Sequence, residues 1–375
     1  MNKIKLMTII GTRPEIIRLS EVIKKCDTYF DHILVHTGQN WDYHLNQILF
    51  EDLCLREPNF YLTSVGSDLG ETIGNIIAKS YQVMAHNKPD ALLILGDTNS
   101  ALSAIAAKRL KIPIFHMEAG NRCFDENLPE ETNRRIVDHI ADVNLCYSEQ
   151  ARRYLNAEGV AKERTFVTGS PMAEVLSANT NKINSSNILE TLGLKRGKYI
   201  LLSAHREENI DQVNNFLTLM NAVNEMAERY EMPVIYSTHP RSAKYIEERQ
   251  FKFHPNVSSL KPFGFTDYNK LQQNAYCVVS DSGTLPEEAS YFSFPAVCVR
   301  TSTERPEALE KGNFILGSIN TEQVMQAVDM AVDMQNKGDK GSEVTDYIDK
   351  NVSMKVVKII QSYTGIVNHM IWRKY

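Results

Sequence analysis

Between His116 and His139 the chain concentrates acids and arginines, with Glu118, Glu130, Glu131 and Asp138 sharing the stretch with Arg122, Arg134 and Arg135. The stretch follows an apolar strand-like run at 111–115, and Pro129 signals the start of a helix. In an open α/β sheet, ligands bind just past the carboxyl ends of strands, so this gathering reads as a reaction site. A plainer reading stands beside it. Glu130 with Arg134, and Glu131 with Arg135, sit four residues apart and would pair on a helix surface for about a few tenths of a kcal/mol each. Glu118 has no such helical partner and falls beside Gly120, three residues past the run.

Three further clusters carry the same ambiguity. Gly11-Thr12-Arg13-Pro14-Glu15-Ile16-Ile17-Arg18 is a glycine turn into a helix, whose first amides with Arg13 and Arg18 would attract an anion, or it is only a turn. It lacks the G-x-G-x-x-G spacing of a dinucleotide fold. Asp97, in Gly96-Asp97-Thr98-Asn99-Ser100, either caps the next helix or serves as a base. In the second half, Ser203-Ala204-His205-Arg206-Glu207-Glu208-Asn209 and Asp281-Ser282-Gly283-Thr284-Leu285-Pro286-Glu287-Glu288 both follow apolar runs. The second is a small-residue turn opening a helix, suited to placing amides on a diphosphate, with Glu288 able to accept from ribose hydroxyls. His205 alone would be a structural histidine; its charged neighbours favour a functional one.

These clusters need elements to hold them. Short apolar runs at 4–10, 32–36, 91–95, 114–115, 143–148, 199–203, 234–236, 275–280 and 296–300 alternate with amphipathic stretches, the βαβ rhythm of a parallel sheet covered on both faces. The rhythm pauses in the small polar residues of 177–187, the expected linker. This divides the chain into a first Rossmann-like domain at 1–176, a second at 188–352, and a last helix at 353–375 that packs back on the first. Two doubly wound domains facing one another would form a cleft lined by strand ends.

A chain of 375 residues suits two domains of ordinary size. Its net charge of −5 and lack of a basic tract argue against a nucleic-acid partner. No stretch approaches the roughly 20 apolar residues of a membrane span, and the apolar start breaks at Gly11 without a cleavage site. The cysteines are scattered without a C-x-x-C pair, which argues against zinc and against a disulfide framework. A cytosolic protein with reduced thiols is expected.

Taken in order, Gly-Thr-Arg-Pro-Glu, Gly-Asp-Thr, Glu-Ala-Gly, Pro-Glu-Glu-x-Asn-Arg, His-Arg-x-Glu-Asn, Asp-Ser-Gly and Thr303-Glu304-Arg305-Pro306-Glu307-Ala308 resemble the motifs of the non-hydrolysing UDP-N-acetylglucosamine 2-epimerases, across nearly the whole chain. The resemblance implies an α/β fold of two Rossmann-like domains in the glycosyltransferase-B arrangement, UDP held mainly by the second, and a homodimer. It places Asp97, Glu118, Glu130 and His205 on catalytic positions, with Arg134 beside them. Arg13, Ser282, Gly283, Glu288 and Arg305 fall on nucleotide-contact positions, with Arg18 and Thr284 adjoining.

The implied chemistry explains the residue types. C2 of an N-acetyl sugar is not next to a carbonyl, so its proton is too weakly acidic for a carboxylate to take directly. Expelling UDP from C1 develops positive charge at the anomeric centre and makes that proton removable, leaving a glycal. A proton then returns to the other face of C2 as UDP re-adds. Two faces call for two proton-handling groups, or one shared through a mobile group, work that Asp97, Glu118 and Glu130 would share, with His205 at the leaving diphosphate. Arginines and helix amides stabilise that diphosphate, so the reaction demands no metal or nicotinamide cofactor.

The chain departs from the family's usual pattern in telling places. Arg18 replaces a lysine, Asn40 a histidine and Glu207 the second arginine of His-Arg-Arg-Glu, and the last two put activation by UDP-N-acetylglucosamine in doubt. Asn121-Arg122-Cys123-Phe124-Asp125-Glu126-Asn127-Leu128 stands where Leu-Arg-Thr-Gly-Asp is usual. It resembles the branch that makes UDP-N-acetyl-L-fucosamine for capsule or O-antigen polysaccharide from UDP-N-acetyl-L-pneumosamine, with Phe124 and Leu128 expected to line the approach of a 6-deoxy sugar. The ordinary D-gluco to D-manno epimerase, a UDP-sugar sensor without catalysis and a glycosyltransferase are the competing readings; so many acids around one sugar argue against the sensor.

Overall fold

The computed structural model describes residues 3–38 and 43–374. The chain forms two compact units. The first runs to Ala178 and takes the chain back from Thr345; the second is Asn179–Val344.

The first unit is built on a parallel sheet in the order β3-β2-β1-β4-β5-β6-β7. Its strands are β1 (Lys5–Ile10), β2 (Asp31–His36), β3 (Phe60–Tyr61), β4 (Ala91–Leu95), β5 (Ile114–Met117), β6 (Val143–Cys146) and β7 (Thr165–Val167). Leu92, Leu93 and Ile94 of β4, like Ile114 and Phe115 of β5, are fully buried, because helices cover both faces and leave no strand side in water. Helix Arg13–Tyr29 turns Ile16, Leu19, Val22, Ile23 and Cys26 inward, a stripe at helical spacing. Helix Val352–Met370 packs against it, and the Ser353 amide donates to Glu174 Oε2 at 2.8 Å.

The second unit repeats the plan in the order β10-β9-β8-β11-β12-β13, with β8 (Ile200–Ser203), β9 (Val234–Ser237), β10 (Val257–Leu260), β11 (Cys277–Ser280), β12 (Ala296–Cys298) and β13 (Ile315–Leu316). Both orders reverse after the first strand of the unit, between β1 and β4 and between β8 and β11. That reversal point, at the carboxyl ends, is where doubly wound sheets bind ligands.

Two boundaries differ from the sequence reading. The stretch 177–187 is helical over Thr180–Ser185, because Ile183 is buried and anchors a turn that local composition disfavours. The chain returns to the first unit at Thr345 rather than after 352. Asp346 makes the junction: its carbonyl accepts from the Ser170 amide at 2.9 Å and its carboxylate from the Glu149 amide at 3.1 Å.

Candidate active site

The first unit places its charged residues at the ends of β1, β4 and β5. Glu118, one residue past β5, is buried, and Arg18 Nη1 donates to its Oε2 at 2.8 Å. Asn121 Nδ2 approaches Oε1 at 3.3 Å. Glu118 adopts φ +65°, a left-handed backbone that costs a residue with a side chain roughly 1–2 kcal/mol. The turn therefore needs support from its neighbours.

Glycine supplies part of that support. Gly96 (φ +73°) lies against the Glu118 carboxylate, where a Cβ would come within 3.3 Å of Oε2. Gly120 (φ +82°) lies on helix Glu149–Ala157, where a Cβ would be 2.4 Å from the Ala151 carbonyl oxygen. Gly120→Ala is expected to destabilise the first unit by more than the roughly 1–2 kcal/mol of the left-handed backbone alone, seen as a lower thermal midpoint by tryptophan fluorescence. An unchanged midpoint would show that the helix yields.

Asp97 follows β4 and Gly96. It does not cap the next turn, a place taken by Thr98; its Oδ2 receives Arg134 Nη2 at 2.5 Å. The other arm of Arg134 donates to Glu131 Oε2 at 2.6 Å. Of the two readings open for Glu131 and Arg135, a surface pair or part of the site, the structure supports the pair only in part. Arg135 Nη2 does approach Glu131 Oε1 at 3.4 Å, but Glu131 is buried. Burial works to raise the Glu131 pKa, and the charge of Arg134 with hydrogen bonds from Cys123 outweighs it, so the carboxyl titrates below its usual range. Helix Pro129–Ile140 thus points Glu131, Arg134 and Asp138 inward, at spacings of three and four. Glu130, in its first turn, is half-buried.

Sequence reasoning missed the role of Glu15. Its Oε2 accepts from the Gly11 amide at 3.0 Å, the Thr12 amide at 2.7 Å and the Thr12 hydroxyl at 2.7 Å, while Oε1 accepts from Ser100 Oγ. Two of the amides expected to bind an anion therefore already hold a carboxylate of the chain itself. The Thr12-x-x-Glu15 spacing is a capping box, the signal that identifies this arrangement. Arg13 is half-buried at the first position of the same helix.

The expected sugar-lining pair divides. Leu128 is buried where helix Pro129–Ile140 begins; Phe124 is exposed and meets Tyr154 edge-on, ring centroids 5.3 Å apart. Cys123 is the residue that joins this segment to the acids, since its amide and its thiol both lie 3.2 Å from Glu131 Oε2. A second constellation proves structural. Thr8 Oγ1, His32 Nε2 and His32 Nδ1 with Asp27 Oδ1 are spaced at 2.8 and 2.6 Å like a nucleophilic triad, yet Thr8 is fully buried within β1, where no substrate reaches it.

In the second unit Asp281, fully buried past β11, organises the site. It accepts from the amides of His205 (2.9 Å) and Arg206 (2.9 Å) and from Asn209 Nδ2 (3.0 Å), fixing the turn after β8. The His205 ring, partly exposed, has Nδ1 3.5 Å from Asp281 Oδ1 and stacks on His239 with centroids 5.0 Å apart. The Ser282-Gly283-Thr284 turn opens helix Leu285–Phe292, with Ser282 Oγ 3.0 Å from Thr284 Oγ1. Glu288 is buried and held by Gln272 Nε2 at 2.6 Å. Arg305 is fully buried, its Nη2 3.6 Å from Glu287 Oε2. Glu207 is exposed and pairs with Arg241 at 2.6 Å, and Asn40 lies outside the described residues.

Among the described residues, no group of three or more His, Cys, Asp or Glu side chains is placed to hold a metal ion, and no helix is long and apolar enough to cross a membrane.

Known proteins share this arrangement. The sequence model of the family described as UDP-N-acetylglucosamine 2-epimerase matches residues 24–361. A structure of UDP-N-acetylglucosamine 2-epimerase from Rickettsia bellii superposes with a TM-score of 0.92 at 46% identity, covering 100% of both chains. The UDP-N-acetylglucosamine 2-epimerase of Methanocaldococcus jannaschii is 34% identical over 335 residues, 87% of this chain and 92% of the relative. A structure of the UDP-GlcNAc 2-epimerase from that organism, in complex with UDP-GlcNAc and UDP, superposes with a TM-score of 0.89 at 31% identity, covering 96% of this chain and 99% of the other. The UDP-2,3-diacetamido-2,3-dideoxy-D-glucuronate 2-epimerase of Pseudomonas aeruginosa is 32% identical, over 84% of this chain and 88% of the relative. With the family's motifs in order along the chain and two Rossmann-like units beneath them, the chain belongs to the UDP-N-acetylglucosamine 2-epimerase family, isomerases that act at C2 of UDP-N-acetyl sugars.

Proposed function

We propose that the chain interconverts UDP-N-acetyl-L-pneumosamine and UDP-N-acetyl-L-fucosamine at C2, by elimination of UDP to a glycal and re-addition, in the supply of capsular or O-antigen polysaccharide. The observation that carries this reading is the segment 121–128. Its sequence resembles the L-fucosamine branch, and Cys123 ties it to Glu131 and through Arg134 to Asp97. A change of sequence in this segment is therefore felt at the carboxylates around the sugar. The relative in Pseudomonas aeruginosa, whose name specifies a different UDP-sugar, supports a family that divides by sugar at this level of identity. The names of the Rickettsia and Methanocaldococcus proteins favour the second reading, interconversion of UDP-N-acetylglucosamine and UDP-N-acetylmannosamine.

In either reading the roles are the same. Asp97, Glu118 and Glu130 handle the C2 proton, Arg134 and Arg18 hold the first two by their ion pairs, and His205 serves the leaving diphosphate oxygen. Ser282, Gly283 and Thr284 turn their backbone toward the diphosphate at a helix start, Glu288 takes the ribose, and Arg13 adds charge for the anion. Arg305, its Nη2 3.6 Å from Glu287 Oε2, joins the nucleotide contacts. The substrate is a UDP-sugar, the active form is a cytosolic homodimer, and no cofactor takes part.

Incubation in deuterated water with each UDP-sugar, followed by NMR at C2, decides between the readings. Deuterium at C2 of UDP-N-acetyl-L-fucosamine is the expected result. Exchange with UDP-N-acetylglucosamine alone would establish the second reading, and no exchange with any UDP-sugar would point to a sensor or a transferase.

A further inference from the structure

The two carboxylates Asp97 and Glu118 stand on different loops, after β4 and after β5, yet both loops are tied to one buried pair. His116 lies in β5, and its Nε2 is 2.8 Å from the carbonyl oxygen of Gly96, the residue before Asp97. Its Nδ1 is 2.9 Å from Asp138 Oδ1. Asp138 in turn accepts from the amide of Gly120, two residues past Glu118, at 3.2 Å to each oxygen. Arg122 Nη1 donates to Asp138 Oδ2 at 2.7 Å and to the Asn121 carbonyl at 2.7 Å, and its other nitrogens grip Glu158 at 2.8 and 2.7 Å. Asp138 also shares a helix face with Arg134, the partner of Asp97.

The side chains of His116, Asp138 and Arg122 are fully buried. Buried ion networks stabilise a fold no better than well-packed apolar side chains of the same volume, so their presence calls for another explanation. The left-handed backbone of Glu118 supplies one, since a strained turn keeps its shape only when its surroundings fix it. Chemistry supplies the other. Proton transfer on opposite faces of one carbon requires two groups at a set separation, and an error near 1 Å can slow such a step about 100-fold.

We propose that His116 and Asp138 form a positioning pair that sets the separation of Asp97 and Glu118 by fastening the loops after β4 and β5 to a single buried carboxylate. This rests on the reading above, in which those two acids, with Glu130, move the C2 proton. Loss of the pair would matter most after UDP has left, when the glycal waits for a proton on its other face. A misplaced acid then allows the intermediate to escape.

The test uses the full chain with whichever of UDP-N-acetylglucosamine and UDP-N-acetyl-L-fucosamine the unaltered protein turns over. For Asp138→Asn, NMR would follow the epimer formed, the deuterium at C2, and the free UDP and glycal released. The expected result is a kcat lower by about 10- to 100-fold with KM nearly unchanged, and a larger share of turnovers ending as free UDP and glycal. His116→Phe, which removes both links and leaves Arg122 and Glu158 in place, should show the same pattern. His116→Gln, which restores a donor to the Gly96 carbonyl, should recover part of it. The double variant Asp138→Asn with His116→Phe should be no worse than the poorer single one, as for groups acting as a unit.

A role confined to holding the fold would lower the yield of folded protein and its thermal midpoint while leaving the partition between epimer and glycal unchanged, and that result in both single variants would overturn the proposal. If Asp138→Asn does not fold, the His116 pair of variants decides alone. Glu118→Gln separates the two levels. Full turnover in that variant would remove the acids' assigned role, whereas an inactive Glu118→Gln beside an unchanged partition in the others would remove only the positioning pair.

Discussion

Glu118→Gln is expected to abolish exchange at C2, with turnover reduced by about 10²- to 10⁴-fold, while UDP binding changes little. The glutamine can keep the shape of the site. Its carbonyl oxygen can take the place of Oε2 and accept from Arg18 Nη1, now at 2.8 Å, and its amide nitrogen can donate to Asn121 once the Asn121 amide turns its oxygen, in place of Nδ2, toward residue 118. What it cannot do is carry a proton to or from carbon. Apart from Arg13, the groups assigned to the diphosphate and ribose, around Asp281 and Gln272, belong to the second unit, and the substitution touches none of them. Calorimetry with UDP should therefore match the unaltered protein, while NMR in deuterated water shows no incorporation. Turnover at the unaltered rate would take Glu118 out of the mechanism. Reduced UDP affinity in step with reduced turnover would mean that the substitution had disturbed the fold instead.

The alternation of apolar runs and amphipathic stretches was enough to read a parallel α/β fold, because central strands such as β4 and β5 are buried on both faces and leave an unbroken apolar signature. The same rule hides the edges. Phe60 and Tyr61 of β3 are exposed, and β13 has only two residues, so neither carries enough pattern to be seen. Motif residues at strand ends were legible as types, since Gly96, Asp97, Glu118 and the 281–284 turn sit where such sheets bind ligands. Their partners were not. In helix Pro129–Ile140 an amphipathic reading buries Ile136 and exposes the acids, whereas Ile136 is exposed and Glu131, Arg134 and Asp138 face inward. Charge satisfies these inward positions only through residues distant in sequence, Asp97 for Arg134 and His116 with Arg122 for Asp138. Local spacing cannot supply that information, which is why the surface-pair reading of Glu131 stays open beside the functional one in the sequence.

Glu15→Gln is expected to remove a pH dependence from the stability of the first unit, on the order of 3 kcal/mol in size. Burial, opposed by hydrogen bonds from Ser100, Thr12 and the Gly11 and Thr12 amides, pushes the Glu15 carboxyl from its ordinary 4.5 up to about 7. Because the folded-state value lies above the unfolded one, the folded chain retains this proton over a range where the unfolded chain releases it. The resulting stabilisation is present in full below about pH 4.5, declines as pH rises, and is gone once pH passes about 7. Glutamine imitates the protonated form: its oxygen can accept from the Gly11 and Thr12 amides, and its amide can donate to Ser100 Oγ. The residues of the second unit include no tryptophan, so tryptophan fluorescence during urea unfolding follows the first unit. The difference in unfolding free energy between the two proteins should shift in favour of the glutamine variant between pH 4.5 and pH 8, since only the unaltered chain loses a contribution there. A difference that stays constant across that range would mean that Glu15 titrates alike in the folded and unfolded chain, and that its four donors compensate its burial in full.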